Sequence, residues 1–234
     1  MPTTFVVGAG PGIGTAVARR FAREGHAVGL LARSAATVDA AVAAVRAEGV
    51  RAAGATADVT VETGLAAALD ELVASLGPPD VVVHNAALIR RDTVGELTSA
   101  QLLATFAVNV GGAVTTAAHL LPAMAERGSG TFVVTGGMPR GAPAFTSLSL
   151  GKAAVRALVE LLAEQHGPAG VHVATVTVAG PVAPDSAFDP DEIADAFWDL
   201  HREPVGSWTE ELLYAGRDGV VPPARVVRAS PVRR

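Results

Sequence analysis

Short apolar runs rich in Val and Ala alternate along the chain with longer segments whose apolar positions recur at helical spacing. Continuous runs of such side chains are typical of parallel strands that helices cover on both faces. The predicted strands are residues 5–8, 27–32, 50–56, 80–84, 130–135 and 171–178. The predicted helices are residues 13–24, 36–48, 62–76, 100–120 and 149–166. This alternation with short connections indicates parallel strands joined by right-handed crossovers.

The pattern changes after residue 180. A further helix is predicted over residues 188–200, because Asp189 is a suitable N-cap and Pro190 suits the first helical position. A last short strand is predicted near residues 211–214.

Together these elements predict a single-domain α/β Rossmann fold with a doubly wound, mostly parallel seven-stranded sheet and helices on both faces. The domain is placed at residues 1–215. Residues 216–234, rich in Pro, Arg and Val, are interpreted as a C-terminal tail.

Composition narrows the class of protein. The chain has 234 residues, a net charge of −5 and no cysteine. The negative charge argues against nucleic acid as a partner, because phosphate binding needs a concentrated basic surface. Gly and charged residues interrupt the apolar stretches before the ~20 residues that a bilayer-spanning helix needs, and the first strand leaves no room for a signal peptide. We expect a cytoplasmic protein with no membrane partner, no disulfide and no metal site.

A glycine-rich loop joins the first strand to the first helix. It reads Gly8-Ala9-Gly10-Pro11-Gly12-Ile13-Gly14. Glycines allow a tight turn that brings backbone N–H groups close to a pyrophosphate, and the helix N-terminus adds a favourable dipole. An ordinary turn is the alternative, because glycine also marks turns without a ligand. The strand before the loop and the helix after it favour phosphate binding.

The end of the second strand bears on the choice of nucleotide. NAD sites place Asp or Glu here, where the carboxylate accepts a hydrogen bond from the ribose 2′-hydroxyl. This chain has Arg33 and Ser34 instead. A guanidinium pairs with a 2′-phosphate and stacks on adenine, so NADP(H) is favoured over NAD(H). The alternative interpretation of Arg33 is a solvated charge that leads into the next helix.

The G-x-x-x-G-x-G spacing of the loop resembles that of the short-chain dehydrogenase/reductase family, and three further segments match the family in order and spacing. They are Asp58-Val59, His84-Asn85-Ala86-Ala87 and Asn109. The resemblance covers about residues 4–182. It implies that Asp58 and Val59 contact adenine, that Asn85, Ala86 and Ala87 line the cofactor site, and that Asn109 holds a catalytic water through its backbone.

The family also implies a catalytic Ser and a Y-x-x-x-K pair, in which the tyrosine protonates a carbonyl oxygen and the lysine holds the nicotinamide ribose. The lysine position is Lys152, but the residue four before it is Leu148. The serine position aligns with Gly137. The chain therefore resembles an atypical member that lacks the catalytic Ser and Tyr and keeps Lys152 and Asn109 as catalytic residues.

Other residues bear on the same site. Lys152 is interpreted as a cofactor ligand rather than a surface charge, because small and apolar residues surround it in the sequence. Pro181 and Val182 resemble the segment after the sixth strand that contacts the nicotinamide amide. The resemblance also implies a C-terminal substrate lid at about residues 183–205. Four hydroxyl residues lie near Lys152 in the sequence: Thr135, Thr146, Ser147 and Ser149. For Ser147 and Ser149 a helix-capping role is favoured. Tyr214 is not expected at the site.

Three functions remain open at this point. The first is an NADP(H)-dependent oxidoreductase that reduces an imine, an activated C=C bond or a carbonyl of a small apolar substrate. The second is a non-redox enzyme or pseudoenzyme of the same fold, and the third is an ordinary carbonyl reductase with a water relay or a distant donor. Four aromatic residues are candidates for an apolar pocket: Phe188, Phe197, Trp198 and Trp208. The alternative interpretation is that they belong to the core or an interface.

Assembly is predicted from the two longest helices, over residues 100–120 and 149–166. Both carry Ala, Leu and Val on more faces than a solvent-exposed helix requires. Relatives in the family pair through these helices, so a homodimer or homotetramer is expected.

Overall fold

A computed structural model describes residues 1–217 and residue 219. Seven strands form a single sheet in the order β3-β2-β1-β4-β5-β6-β7, and every pair of neighbours is parallel. The strands are β1 (Thr3–Val7), β2 (Ala27–Ala32), β3 (Ala52–Thr56), β4 (Val81–His84), β5 (Gly130–Thr135), β6 (Val171–Val178) and β7 (Glu211–Tyr214). The predicted doubly wound sheet is confirmed, and it is parallel throughout rather than mostly parallel.

Helices cover both faces of this sheet. They are α1 (Ile13–Arg23), α2 (Ala35–Arg46), α3 (Glu62–Leu76), α4 (Ser99–Phe106), α5 (Gly112–Arg127), α6 (Thr146–His166) and α7 (Pro190–His201). Buried residues of α1, α2 and α7 form one core cluster with one face of the strands. Buried residues of α3, α5 and α6 form a second cluster on the opposite face. This three-layer arrangement buries every residue of β1, β2, β4 and β6, as their continuous apolar runs predict.

A π-helical segment, Ala107–Gly111, joins α4 to α5 and makes one continuous helix of 29 residues, Ser99–Arg127. The prediction ended this helix at residue 120. The helix continues past Pro122 and ends at Gly128, whose φ of 71° suits a left-handed C-terminal cap.

The same helix corrects the expectation that no apolar stretch is long enough to span a bilayer. Ser99–Arg127 is long and apolar enough to span a bilayer, with a mean hydropathy of 1.2. It is the one helix in the described part of the chain that meets these two criteria. A core helix passes the same test. Here Leu121 and Met124 are fully buried in the core cluster under the sheet.

Helix α7 begins as the sequence predicts, since the Asp189 carboxylate accepts from the Asp191 N–H at 2.8 Å and Pro190 occupies the first position. Its apolar face packs on α1, where the rings of Trp198 and Phe21 meet edge to face at 5.3 Å. The region predicted as a lid is therefore anchored on its C-terminal side by a core helix.

Three of the four aromatic residues considered for an apolar pocket belong to a core cluster or pack against it, and none of the four lines the cleft described below. Phe197 is fully buried in the cluster of α1 and α7, and Phe188 and Trp198 pack against that cluster. Trp208 stacks on the ring of His172 at 5.1 Å. The alternative interpretation of these residues as core is the one that the structure supports.

Replacing Phe197 with Ala tests this anchoring. The variant leaves a cavity between α7 and α1, so we expect the free energy of unfolding to fall by about 3–5 kcal/mol. As a control, Val205→Ala, at a side chain that is 82% exposed, changes it by less than about 0.5 kcal/mol. Urea unfolding of both variants, followed by circular dichroism, measures the difference. Equal stabilities would contradict the packing of α7 on α1.

Candidate active site

A cleft of about 1410 Å³ opens at the carboxyl ends of the parallel strands. The chain passes from one side of the sheet to the other between β3 and β4, so the loops after β1 and β4 diverge there. Ligands of doubly wound sheets bind at such a switch point. Residues from the loops after β1, β2, β4, β5 and β6 line the cleft.

The glycine loop forms one wall and packs tightly against the end of β4. Gly8 has a φ of 97°, and a Cβ on it would lie 2.4 Å from the backbone nitrogen of Ala86. A Cβ on Gly14 would lie 2.3 Å from the carbonyl oxygen of Gly8. Gly10 and Gly12, in contrast, face open space within 4 Å of their Cβ positions. The loop is therefore held from behind and leaves its own backbone exposed to the cleft.

Helix α1 starts at this loop with Gly12 as its N-cap. No side chain caps the helix, and its first turn carries no acidic residue. Helix N-terminal N–H groups and the helix dipole favour an anion at such a position. The loop and the helix together therefore make a cradle that suits a pyrophosphate.

The end of β2 forms the outer part of the cleft. Arg33 lines it with an exposed side chain, and Ser34 caps α2 by accepting from the Thr37 N–H at 3.2 Å. Val59 also lines this part, whereas Asp58 does not. The Asp58 carboxylate instead accepts from the backbone N–H and the hydroxyl of Thr60, and these hydrogen bonds, with Arg33 nearby, lower its pKa.

A chain of hydrogen bonds connects the loop to the opposite wall. The amide nitrogen of Asn85 donates to the Gly8 carbonyl at 2.8 Å, and the Thr135 hydroxyl donates to the Asn85 side-chain oxygen at 2.9 Å. Lys152 Nζ donates to the Thr135 carbonyl at 2.6 Å. Four elements are thereby tied together across the floor of the cleft. Sequence reasoning named Thr135 only as a hydroxyl near the site and did not predict this bridging role.

Lys152 is 6% exposed and lines the inner end of the cleft. Burial lowers the pKa of its ammonium group from 10.5 to about 8. The imidazole of His84 on β4 is fully buried behind it, and burial together with the positive charge of Lys152 lowers its pKa to about 3. His84 is consequently neutral near pH 7. The interpretation of Lys152 as a solvated surface charge does not fit this position.

Leu148 and Gly137, which the sequence analysis matched to the tyrosine and serine positions, both lie close to this lysine. Leu148 lies one helical turn before Lys152 on the same face of α6, is 7% exposed and lines the cleft. Gly137 also lines the cleft, and a Cβ on it would lie 3.8 Å from Cε of Lys152. The inner end of the cleft thus has a hydrocarbon wall next to a buried ammonium group.

Asn109 lies outside the cleft lining and supports the backbone around it. It lies in the π-helical segment, is 1% exposed, and its side chain holds the backbone of Leu88, accepting from the N–H at 2.6 Å and donating to the carbonyl at 3.2 Å. Gly151 packs against it, with its Cβ position 3.3 Å from the Asn109 Cβ. The contact positions the loop after β4 and the first turns of α6.

Asp92 is a residue of the site region that sequence reasoning missed. Helix α6 begins at Thr146 rather than at residue 149, and Ser147 and Ser149 are inside it rather than at its cap. The Asp92 carboxylate caps the helix from the β4–α4 loop, accepting from the Ser147 N–H at 2.9 Å and the Ser147 hydroxyl at 2.5 Å. These hydrogen bonds, with Arg90, lower its pKa. The two partners are 55 positions apart, so no local signal reveals the cap.

Most of the predicted site residues line the cleft. These are Gly8, Gly10, Gly12, Ile13, Arg33, Ser34, Val59, Asn85, Ala86, Ala87, Lys152 and Val182. Four predicted residues lie outside its lining: Gly14, Asp58, Asn109 and Pro181. Tyr214 is also outside it, and its hydroxyl donates to Glu192 at 3.3 Å. Lining residues that the sequence did not indicate include Thr37, Leu88, Ile89 and Val108.

Comparison with known proteins identifies the family. The family model described as short chain dehydrogenase matches residues 2–188, so the chain belongs to the short-chain dehydrogenase family. The short-chain reductase protein NovJ of Streptomyces niveus is 32% identical over 187 residues, which are 78% of this chain and 71% of that protein.

Solved structures agree with this assignment. An alcohol dehydrogenase from the archaeon Thermococcus sibiricus, complexed with 5-hydroxy-NADP, superimposes with a TM-score of 0.83 at 28% identity and covers 91% of this chain and 95% of its own. A metagenomic short-chain oxidoreductase in complex with NADP has a TM-score of 0.81 at 25% identity, with 91% and 96% covered. The chain is thus an oxidoreductase of the short-chain dehydrogenase/reductase (SDR) family.

The tight packing of the loop is open to a direct test. Gly14→Ala drives a methyl group into the Gly8 carbonyl, so we expect the free energy of unfolding to fall by about 1–3 kcal/mol. Gly10→Ala, at a glycine in the same loop with no atom within 4 Å of its Cβ position, changes it by less than about 0.5 kcal/mol. Thermal and urea unfolding without nucleotide compare the two. Similar losses in both variants would contradict the packing described above.

Proposed function

We propose that the protein is an NADP(H)-dependent reductase with a non-standard active site, acting on a carbonyl or an activated C=C bond of a small apolar compound. The observation that carries the proposal is the position of Lys152, buried at the inner end of a cleft whose other wall is the bare glycine cradle. A buried ammonium group needs polar partners, and ribose hydroxyls at this position supply them.

The residues present fit the nucleotide. The open Cβ positions of Gly10 and Gly12 and the uncapped start of α1 leave room and N–H donors for a pyrophosphate. Arg33 and Ser34 offer a guanidinium and a hydroxyl to a 2′-phosphate. Lys152 binds the nicotinamide ribose, and Val182 contacts the nicotinamide end. When bound, NADPH supplies the hydride, and the chain supplies orientation and exclusion of water.

The inner end of the cleft favours some substrates over others. Leu148, Met138, Val182 and Ile89 give it an apolar wall, which suits an apolar compound. Burial lowers the pKa of Lys152 only to about 8, so near pH 7 the side chain is still mainly an ammonium group, which attracts a developing negative charge. A carbonyl or enone generates such a charge on oxygen as it accepts hydride, whereas an iminium ion brings a second positive charge. We therefore rank imines below the other two substrate classes.

Leu148 supports a second candidate function. A hydrocarbon at the position of the family's proton donor is compatible with a non-redox enzyme or pseudoenzyme that binds nucleotide in the same cleft. Both candidates predict nucleotide binding, and they differ in turnover. Oxidation of NADPH at 340 nm in the presence of carbonyl or enone compounds favours the reductase, and tight binding without turnover across a broad panel favours the pseudoenzyme.

Replacing Arg33 with Ala tests the choice of nucleotide. Loss of the charged hydrogen bonds to a 2′-phosphate costs about 1.5–3 kcal/mol, so we expect the Kd for NADPH to rise by tenfold or more, with the Kd for NADH almost unchanged. Arg51→Ala is the matched control, because the Arg51 guanidinium donates to the Ser75 carbonyl away from the cleft. Fluorescence titration of the nicotinamide measures all four constants. A parallel loss of both nucleotides in Arg33→Ala would contradict the proposed contact.

We further propose a homodimer or homotetramer built on the helices of the second core cluster. Leu103 on α4 and Leu161 on α6 are 67% and 65% exposed, and Leu150 is 50% exposed. Apolar side chains at this exposure on neighbouring helices mark a protein interaction surface. Pairing of the same surface in two copies gives a closed, two-fold interface.

The assembly is tested by light scattering after gel filtration at micromolar concentration. Wild type is expected to elute as a dimer or tetramer. Leu161→Glu buries a carboxylate in the proposed interface and is expected to give monomers. Val205→Glu, on the opposite side of the fold from these helices, keeps the wild-type mass. A monomeric wild type would overturn the proposal.

A further inference from the structure

We propose that Lys152 is the proton donor of the reaction, so that the buried ammonium group hands its own proton to the substrate oxygen. This inference deepens the proposed function and depends on it. Reduction of a carbonyl needs a proton donor, and Leu148, one turn before the lysine, cannot supply a proton.

The hydroxyl groups near the site are all committed as donors to other acceptors. Thr135 donates to Asn85, Thr146 to the Pro143 carbonyl, Ser147 to the Asp92 carboxylate, and Ser149 to the Phe145 carbonyl. Of these four, only Thr135 lines the cleft. The hydroxyl of Tyr214 donates to Glu192 outside the cleft. An aliphatic hydroxyl is in any case a much weaker acid than an ammonium group.

Lys152 has more N–H donors than the one hydrogen bond it makes within the protein. An ammonium group carries three N–H donors, and one of them is directed to the Thr135 carbonyl at 2.6 Å. The other two are available to the nicotinamide ribose and to a substrate oxygen. Leu148 shares the helix face of Lys152 and carries no polar group, so Lys152 is the polar side chain that α6 contributes to the cleft lining.

Among the titratable residues that line the cleft, Lys152 is the one placed to give a proton to a substrate at the inner end. The titratable side chains that line the cleft in the described part of the chain are Arg19, Arg33, Lys152, Asp189 and Asp191. The two arginines lie at the α1 and β2 side, and the two aspartates start α7. Lys152 is the one member contributed by the walls built from β4, β5 and α6.

Groups that pack around Lys152 without lining the cleft do not replace it. His84 on β4 is neutral near pH 7, since burial and the charge of Lys152 lower its pKa to about 3. Arg156, one turn later on α6, donates to the Gly137 carbonyl at 3.1 Å and cannot release a proton. Asp92 caps the start of α6 through Ser147.

The sequence has a property that bears on this assignment. Lys152 is the sole lysine of the chain, and the other 17 of the 18 cationic side chains are arginine. Arginine binds phosphates and ribose hydroxyls as well as lysine does, but it does not titrate in proteins. Among the lysine and arginine side chains, the one that can give up a proton near neutral pH therefore lies inside the cleft.

The reaction balances as follows for a ketone. The carbonyl carbon accepts the hydride and is reduced, the C=O π bond opens, and the oxygen takes the proton from Nζ as the N–H bond breaks. NADPH is oxidised to NADP⁺, and Lys152 is left as a neutral amine that regains its proton from solvent. With an enone the hydride adds to the β-carbon and the resulting enolate oxygen takes the same proton.

The pH dependence follows from the sign of this step. Reduction requires the ammonium form, so kcat is constant below the pKa of Lys152 and falls tenfold per pH unit above it. Burial lowers that pKa to about 8, which places the fall in an accessible range. A lysine that only held the ribose in its charged form would instead leave kcat unchanged, and the Kd for NADPH would rise above the same pKa.

The experiment exploits the single lysine. Protein labelled with ¹³C at the lysine Cε has one lysine resonance, whose shift with pH reports the pKa of Lys152 directly and without turnover. NADPH oxidation is then measured from pH 6 to 10 with acetophenone and with benzylideneacetone. We expect the kcat profile to bend at the pKa that the resonance gives for the NADP⁺ complex.

Lys152→Arg separates proton donation from binding. It keeps the charge and the N–H donors, so the Kd for NADPH should stay within about threefold, while kcat falls by at least a hundredfold because guanidinium does not release a proton. Lys152→Met is expected to lose both. Circular dichroism and thermal unfolding confirm that each variant is folded.

The outcomes distinguish this inference from the proposed function. A wild-type kcat that is flat across the titration of the lysine resonance, or an undiminished kcat in Lys152→Arg, overturns the inference and leaves the reductase in place. Binding of NADPH without oxidation by either compound also overturns it. Failure of the wild-type protein to bind NADPH overturns the proposed function, and the inference with it.

Discussion

The site depends on how closely the glycine loop approaches the end of β4. A Cβ on Gly8 would lie 2.4 Å from the backbone nitrogen of Ala86, so the loop and the segment after β4 are in direct backbone contact. Asn85 then reaches the loop on one side and Thr135 on the other. Because both contacts start from the same turn, any displacement of the loop also displaces the floor that holds Lys152. The glycine loop and the surroundings of Lys152 are therefore structurally coupled.

Electrostatics at the inner end are governed by the burial of one charge. An ammonium group in an apolar wall is unfavourable for folding unless a partner or a function retains it. The Thr135 carbonyl is its partner in the protein, and burial shifts its pKa toward neutrality. The Asp92 cap, 55 positions away from Ser147 in the chain, holds the start of α6 in place. The helix thus presents Leu148 and Lys152 together, which sets the chemistry open to this member of the family.

Much of the fold was predictable because burial on both faces of the sheet leaves a direct mark on the chain. The strands at residues 27–32, 130–135 and 171–178 and the helix at residues 62–76 have the predicted bounds. The departures come from interactions between distant residues. The helix that was expected to end at residue 120 runs to Arg127. Phe188, Phe197 and Trp198, which the sequence left open between a pocket, the core and an interface, belong to or pack against the core cluster of α1, α2 and α7. The predicted tail beyond residue 217 lies outside the described residues, apart from residue 219.

The sequence by itself determined the layered α/β fold, the glycine cradle and the absence of a phenol near the lysine, since periodicity, glycine spacing and residue identity are local properties. Only the tertiary structure decided which hydroxyls are already committed as donors, that Asn109 supports Leu88 rather than the cleft, and that Asp92 caps α6. It also decided that Lys152 is buried, and hence that its pKa is low. Hydrogen-bond partners and desolvation depend on which parts of the chain meet in space, and no spacing along the sequence records that.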